Sequence, residues 1–261
     1  MQQLVERTWF LSCQILGRVF RGSHYSRVEV VERDTVWAVR KRRVKLAPLL
    51  VWVAGGLYRM LSTGVRVLPQ RAWEAREREL YAALYQSEVV VEDDGTLVLP
   101  SLRGRILAQL LADPRVNGAT RLRAVELAVL ALAELHARGF THADAMAENV
   151  MIDLDAQVAS WFDFENAHDP SRTTDWRRAD DLRALLSSCL WHTSLDGRTE
   201  IMRHVLRTYG SSEVTRIVTK QLRPVTGRAR AFHLGQAPMS YREFRELSQS
   251  VQKFEMGDGR S

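Results

Sequence analysis

The sequence has little cysteine. Among its 261 residues only Cys13 and Cys189 occur, far apart and without a Cys-x-x-Cys pair. This excludes a disulfide-stapled scaffold, because such scaffolds need several cysteines at short spacings. It also leaves no cysteine spacing that would build a zinc finger. We therefore expect a chain that folds around an ordinary hydrophobic core in a reducing compartment, which predicts a cytoplasmic location.

Lysine is also scarce. Only Lys41, Lys45, Lys220 and Lys253 occur, so arginine supplies almost all of the positive charge. The formal net charge is +6, and a basic surface favours an anionic partner such as phosphate groups or an anionic membrane face. A bias in codon usage explains the arginine content at least as well. No nucleic-acid-binding motif accompanies the charge, and we expect no nucleic-acid partner.

No apolar run is long enough to cross a bilayer, for which roughly 20 residues are needed. The first residues (MQQLVERTWFLSCQIL) also lack the pattern of a signal peptide. The apolar run that stands out, residues 46–58 (LAPLLVWVAGGLY), follows a basic stretch that ends at Lys45. Two interpretations of this apolar insertion (residues 46–62) stay open: a buried helix, or an interfacial patch beside anionic headgroups.

Glycine-rich phosphate-binding loops are missing as well. The P-loop pattern G-x-x-x-x-G-K-[ST] does not occur, which excludes a P-loop nucleotide-binding protein. Gly17 and Gly22, in GRVFRGSHYS, are the only candidates for another kind of glycine-rich loop, and they match it weakly.

The sequence pattern changes near residue 100, from mainly β-rich runs to mainly helical patterns. Before it, short β-rich runs surround one helical pattern over residues 70–84, and Asp94-Gly95 between two such runs predicts a hairpin. After it, helical patterns dominate, the longest over residues 119–138. We predict an α+β fold with a small β-rich region (residues 1–100) and a mainly helical region (residues 101–261).

The segment that carries chemistry is residues 135–165 (LHARGFTHADAMAENVMIDLDAQVASWFDFE). It contains an H-x-D-x-x-x-x-N pattern from His142 to Asn149, and a D-F-E triplet that begins at Asp163. Phosphoryl transfer to a hydroxyl needs a carboxylate beside that hydroxyl and oxygen ligands for Mg²⁺. Asp144 suits the first role, and Asn149 and Asp163, joined by a predicted hairpin, suit the second. We expect His142 to brace the loop.

These motifs resemble the protein-kinase-like superfamily, whose pattern is LH-x-x-G-x-x-H-x-D-x-x-x-x-N followed by D-F-G. The resemblance implies a bilobal fold that uses ATP and Mg²⁺. By this resemblance Asp144 is the catalytic residue and Asn149 and Asp163 hold the metal ion. Asp181, in RRADDLRALL, matches the start of the helix that supports the catalytic loop in small-molecule kinases, and Asp180 is the alternative.

Departures from the family pattern bear on the acceptor. Glu165 stands where typical protein kinases have glycine, and Met146 stands where they usually have lysine. Only a short segment without Ala-Pro-Glu separates Glu165 from the next helical pattern near Trp176. This leaves no room for a regulated activation loop and argues against a protein substrate.

The segments that the resemblance assigns to nucleotide binding match the family pattern less closely. The run VWAVRK resembles the family strand V-x-A-x-K, which ends in a phosphate-binding lysine. Strand alternation places Ala38 and Arg40 on one face, so Arg40 takes the lysine position unless a bulge or register shift brings Lys41 in. We predict Glu77 as the ion-pair partner, because apolar residues four and seven positions later favour an inward side chain. Glu79 is the alternative, and a surface role remains open for both.

The strand VWAVRKRR, the apolar insertion and the short segment after D-F-E are similar to bacterial lipopolysaccharide core kinases, including Kdo and heptose kinases. This resemblance implies a sugar hydroxyl on a lipid-linked glycan as acceptor, and a peripheral position on the inner face of the cell membrane. The alternatives are a pseudokinase that binds nucleotide or a partner without catalysis, a phosphotransferase for a small hydroxyl compound, and a RIO-like protein kinase. Arg40, Met146 and the missing glycine-rich loop favour the pseudokinase.

Overall fold

The computed structural model describes residues 26–33, 36–60, 62–222, 242–243, 245–246 and 248–250. Cys13 and the weak loop candidates Gly17 and Gly22 lie outside the described residues. The described residues between 242 and 250 are all helical.

A four-stranded antiparallel sheet forms the first region. Its strands lie in the order β1-β2-β5-β4, and their bounds are β1 Ser26–Arg33, β2 Val36–Arg43, β4 Val90–Val91 and β5 Leu97–Pro100. The hairpin expected at Asp94-Gly95 is confirmed. Gly95 has a φ of +78°, which glycine adopts without steric cost, and Asp94 Oδ1 accepts a hydrogen bond of 2.9 Å from Thr96 N.

Two helices and a short strand lie between β2 and β4. They are α1 Ala47–Met60, β3 Val65–Val67 and α2 Gln70–Tyr85. Most of the apolar insertion therefore forms helix α1, which is buried along one face only. Ala47, Val51 and Ala54 are buried on one face, whereas Trp52 and Leu49 on the other face are exposed.

The rest of the described chain is mostly helical. Its elements are β6 Arg105–Ile106, α3 Leu107–Ala112, α4 Gly118–Ala137, β7 Val150–Asp153, β8 Val158–Trp161, β9 Asn166–His168, α5 Thr174–Trp191, α6 Arg198–Tyr209 and α7 Ser212–Gln221. Three helices begin with a polar N-cap: Asn117 accepts from Thr120 N, Thr173 from Trp176 N, and Ser211 from Val214 N. Such caps satisfy backbone donors that a helix start leaves unpaired.

One hydrophobic core joins the two regions. Trp73 and Leu80 of α2 belong to the same buried cluster as Leu132 of α4 and Leu186 of α5. A second connection is made by backbone pairing, because β3 lies antiparallel to β9. The predicted α+β class is confirmed as a small antiparallel sheet followed by a mostly helical remainder. The division at residue 100 stays a prediction. Within the described chain, no helix combines the length and the apolar character that crossing a membrane requires.

Candidate functional site

Lys41 lies at the centre of a cluster of carboxylates. Its Nζ contacts Asp163 Oδ1, and it lies 3.0 Å from Glu165 Oε1 and 3.4 Å from Glu77 Oε1. The lysine is buried and its ammonium lies 5.2 Å from the centre of the Trp73 ring. Burial alone would lower the pKa of Lys41, but the three carboxylates outweigh it and raise that pKa. The ammonium is therefore kept charged inside the protein.

The expectation that Arg40 takes this inward position is wrong. Strand β2 pairs with β5 without a bulge, with Arg40 opposite Val98 and Lys41 opposite Leu97. Because side chains alternate along a strand, Lys41 points inward and Arg40 points to the other face. There the Arg40 guanidinium forms a partly exposed ion pair with Glu92. The inward side chain at this position of the strand is therefore that of Lys41, one residue after the predicted Arg40.

Helix α2 supplies Glu77, and the alternative Glu79 is exposed. Glu77 Oε1 accepts hydrogen bonds from Trp73 Nε1 at 3.0 Å and from Phe164 N at 3.2 Å. Burial raises the pKa of Glu77, and the Lys41 ammonium opposes that change. Glu77 therefore ties Lys41 to the backbone of the D-F-E triplet through a single oxygen atom.

Asp144 and Asn149 face each other across the loop of residues 138–149. Asn149 Nδ2 donates to Asp144 O at 2.9 Å and to Asp144 Oδ2 at 3.2 Å. Asn166 Nδ2 also donates to Asp144 Oδ2, at 3.4 Å. Burial, with the charges of Asp163 and Glu148, raises the pKa of Asp144 to about 7. Its carboxylate is thus poised to exchange a proton near neutral pH.

Asp181 binds the backbone of the same loop. Its two carboxylate oxygens accept hydrogen bonds of 2.7 Å from His142 N and from Ala143 N. Burial would raise the pKa of Asp181, but the neighbouring histidines and hydrogen bonds outweigh it and lower that pKa. Asp180 is oriented elsewhere, toward Arg183 and His168. The structure therefore gives the bracing position to Asp181.

His142 braces the loop as a neutral residue. Burial lowers its pKa to about 4, so Nε2–H donates to Phe162 O, at 2.9 Å. The ring also packs on the buried Phe164, with 4.8 Å between ring centres. These two contacts link the loop to the D-F-E triplet.

Each of these two segments contains one non-glycine residue with a positive φ. Ala143 and Asp163 have φ values of +67° and +69°, a left-handed conformation that costs energy for residues other than glycine. The bond from Asp181 holds Ala143 in place, and the contact with Lys41 holds Asp163. Strained residues that are held by specific partners are typical of functional sites.

Helix α2 is fastened to the second region by side-chain bonds to backbone carbonyls. Arg76 donates to Thr141 O, and Tyr85 donates to Trp161 O at 2.5 Å. Arg138 donates in the opposite direction, to Ala83 O of α2, at 2.6 Å. These bonds fix Glu77 relative to the loop that carries Asp144.

Asn149 and Asp163 fit the oxygen ligands of Mg²⁺. The Asn149 amide nitrogen is used by Asp144, which leaves its amide oxygen for a cation, and the Asp163 side chain is 36% exposed. No group of three or more His, Cys, Asp or Glu side chains in the described chain is arranged to hold a metal ion. Mg²⁺ commonly takes one or two protein ligands and completes its shell with phosphates and water.

Two residues beside the site were not predicted as parts of it. Glu165 contacts Lys41 and also accepts a 2.5 Å hydrogen bond from Ser26 Oγ, and Asn166 contacts Asp144. The only sequence signal for Glu165 was its replacement of a glycine, which says that the family pattern is broken but not where the new carboxylate points. No protein-family model matches this chain, and no curated protein shows significant similarity to it.

Proposed function

We propose that this protein is an ATP-dependent phosphotransferase with the bilobal protein-kinase-like fold. The observation that carries the proposal is the buried ion pairing of Lys41 with Glu77 and Asp163, next to the loop of Asp144 and Asn149. Two bonds hold the D-F-E triplet against that loop: Phe162 N donates to Asn149 O at 3.0 Å, and His142 donates to Phe162 O. A fixed ammonium, two oxygen ligands and a carboxylate are the parts that phosphoryl transfer requires.

Each part then has a task in the reaction. Lys41 would contact the phosphates of ATP, and Asn149 and Asp163 would hold Mg²⁺, which when bound would neutralise phosphate charge. Asp144 orients the acceptor hydroxyl and takes its proton. The acceptor oxygen forms a bond to the γ-phosphorus while the bond from that phosphorus to the bridging oxygen of ADP breaks. The products are a phosphate monoester and ADP.

We propose a sugar hydroxyl as acceptor, on lipopolysaccharide core or a similar lipid-linked glycan. The segment after Asp163 supports a small acceptor, because it is short and is fixed as strand β9 against β3. A protein substrate needs a longer surface in this place. A lipid-linked acceptor would put the enzyme at the inner face of the cell membrane, and the exposed apolar face of α1 is compatible with that position.

The inward position of Lys41 weakens the alternative hypothesis of a pseudokinase. Its strongest argument was that an arginine replaces the phosphate-binding lysine, whereas Lys41 occupies the inward position. The other two arguments for a pseudokinase are Met146 and the weak match to a glycine-rich loop. Both concern contacts with the substrates more than the residues that transfer the phosphate.

The first test is stabilisation of the protein by Mg²⁺–ATP. A ligand at one hundred times its Kd stabilises a fold by about 2.7 kcal/mol, so we expect a clear rise in the melting temperature. Asp163→Ala should abolish the rise, and the control Asp155→Ala, in an exposed turn, should keep it. A wild-type protein that shows no Mg²⁺–ATP shift would count against nucleotide binding and so against the proposal.

A further inference from the structure

Helix α1 presents an apolar stripe to solvent. Trp52 and Leu49 are 72% and 58% exposed, and Val53 and Met60 are exposed beside them. Their spacing of three, four and seven residues places them on one side of the helix. Ala47, Val51 and Ala54 lie on the opposite side and are buried. The helix is therefore anchored by one apolar face while a second apolar face remains uncovered in the described part of the chain.

A contiguous stripe of this kind marks an interaction surface, because soluble domains seldom expose large apolar side chains side by side. Tryptophan has an apolar ring system and a polar N–H group. It is therefore enriched at the headgroup level of a bilayer, where apolar and aqueous surroundings meet. At about 1.5 Å per residue the helix is roughly 21 Å long, shorter than the ~30 Å hydrocarbon core. It is suited to lying in an interface rather than crossing it.

The charges around the stripe decide between partners. From Val36 to Trp73 the chain contains no aspartate or glutamate. Lys45, just before the helix, and Arg59, in its last turn, are exposed, and neither forms an ion pair with a carboxylate of the described residues. A second copy of the chain would bring two such basic surfaces together, whereas an anionic surface would neutralise them.

We propose that the exposed face of α1 docks on an anionic lipid bilayer, with the helix in the plane of the membrane. Trp52, Leu49 and Val53 enter the boundary between headgroups and acyl chains, and Lys45 and Arg59 contact anionic headgroups. An apolar face together with basic residues is the combination that gives reversible interfacial binding.

Docking at α1 also orients the candidate site. Thr63 N donates to Tyr58 O at the end of α1, and strand β3 begins two residues later. At its other end β3 pairs with Asn166, the residue that contacts Asp144. A short strand thus connects the docked helix to the carboxylate. The use of this orientation for a lipid-linked acceptor rests on the proposed function, whereas the docking itself does not.

The test is sedimentation of the full chain with vesicles in the absence of nucleotide. One set contains phosphatidylcholine alone and the other contains one third phosphatidylglycerol. We expect binding to the anionic set that weakens at high salt. Leu49→Gln should weaken it about tenfold, as expected for one buried leucine, whereas Leu130→Gln, at a leucine of similar exposure on α4, should leave it unchanged. Lys45→Gln should weaken it about fivefold and Arg203→Gln, on α6, should not.

Three results would overturn the proposal. One is the absence of binding to anionic vesicles. Another is equal binding by the Leu49→Gln and Leu130→Gln variants. The third is a dimer in sedimentation velocity that Leu49→Gln dissociates while vesicles are not bound, which would assign the face to a second copy. Because the vesicle assay contains no nucleotide, its failure and a failure of phosphotransfer are distinguishable.

Discussion

Replacing Lys41 by methionine tests the centre of the site. The change removes the ammonium that three carboxylates share, and a buried ion pair that loses one partner typically costs about 3–5 kcal/mol. Glu77 and Glu165 are buried, whereas the Asp163 side chain is 36% exposed and its charge can be hydrated. We therefore expect the lower end of that range, about 3 kcal/mol of unfolding free energy at pH 7.

The loss of unfolding free energy in Lys41→Met should depend on pH. Burial already raises the pKa of Glu77, and the loss of the ammonium raises it further in the variant. A group whose folded pKa is raised stabilises the fold below its unfolded pKa, and this contribution is lost as pH rises through the folded pKa. The deficit of Lys41→Met should thus be largest at neutral pH and shrink toward pH ~4, the unfolded pKa of glutamate.

Urea unfolding followed by circular dichroism measures this deficit. Arg40→Met is the matched control, because Arg40 is the preceding residue of the same strand and its ion pair with Glu92 is partly exposed. Exposed pairs contribute little, so this variant should unfold close to wild type. Equal stability of the two variants, or a Lys41→Met deficit that does not change with pH, would refute the assignment of Lys41 to the buried cluster.

Asp144→Asn should be more stable than wild type above pH 7 and similar to it in acid, because the raised pKa of the carboxyl makes its ionisation costly; a pH series of melting temperatures checks this. Asp181→Asn should lose roughly 3 kcal/mol in urea unfolding, since it weakens two charge-assisted hydrogen bonds, whereas Asp175→Asn, exposed on the same helix, should not. Gly64→Ala should lower the melting temperature, because φ is +77° and a Cβ would clash with the Trp176 ring, whereas Gly56→Ala in open helical space should raise it.

Local signals predicted most of the secondary structure. The Asp94-Gly95 turn fixed one hairpin, because few residues other than glycine adopt its backbone conformation. The long apolar pattern that ends at Gly139 gave helix α4, observed as Gly118–Ala137. The strand pair after Asn149 was expected from β-rich runs around a turn, and it is observed as β7 and β8. In each case neighbours in sequence determine the structure.

The errors and omissions concern contacts between distant residues. Alternation along β2 left two possible faces, and only the packing of that strand beside Trp73 and Glu77 selects Lys41 over Arg40. The contact of Glu165 with Lys41 depends on where the D-F-E triplet lies relative to the sheet, which no local pattern reports. The same holds for the pairing of β3 with β9, whose partners are about one hundred residues apart.

In the proposed reaction, Asp144 takes the proton of the hydroxyl that receives the γ-phosphate of ATP. This role is tested most directly by incubating wild type and Asp144→Asn with γ-labelled Mg²⁺–ATP and lipid-glycan extracts, with product analysis by mass spectrometry. We predict a labelled sugar phosphate monoester from wild type and at least ~100-fold less from the variant, as expected for loss of a general base, while the variant keeps its Mg²⁺–ATP melting shift. No labelled product from wild type, or the same product in equal amount from both proteins, would contradict the proposed role of Asp144 in phosphotransfer.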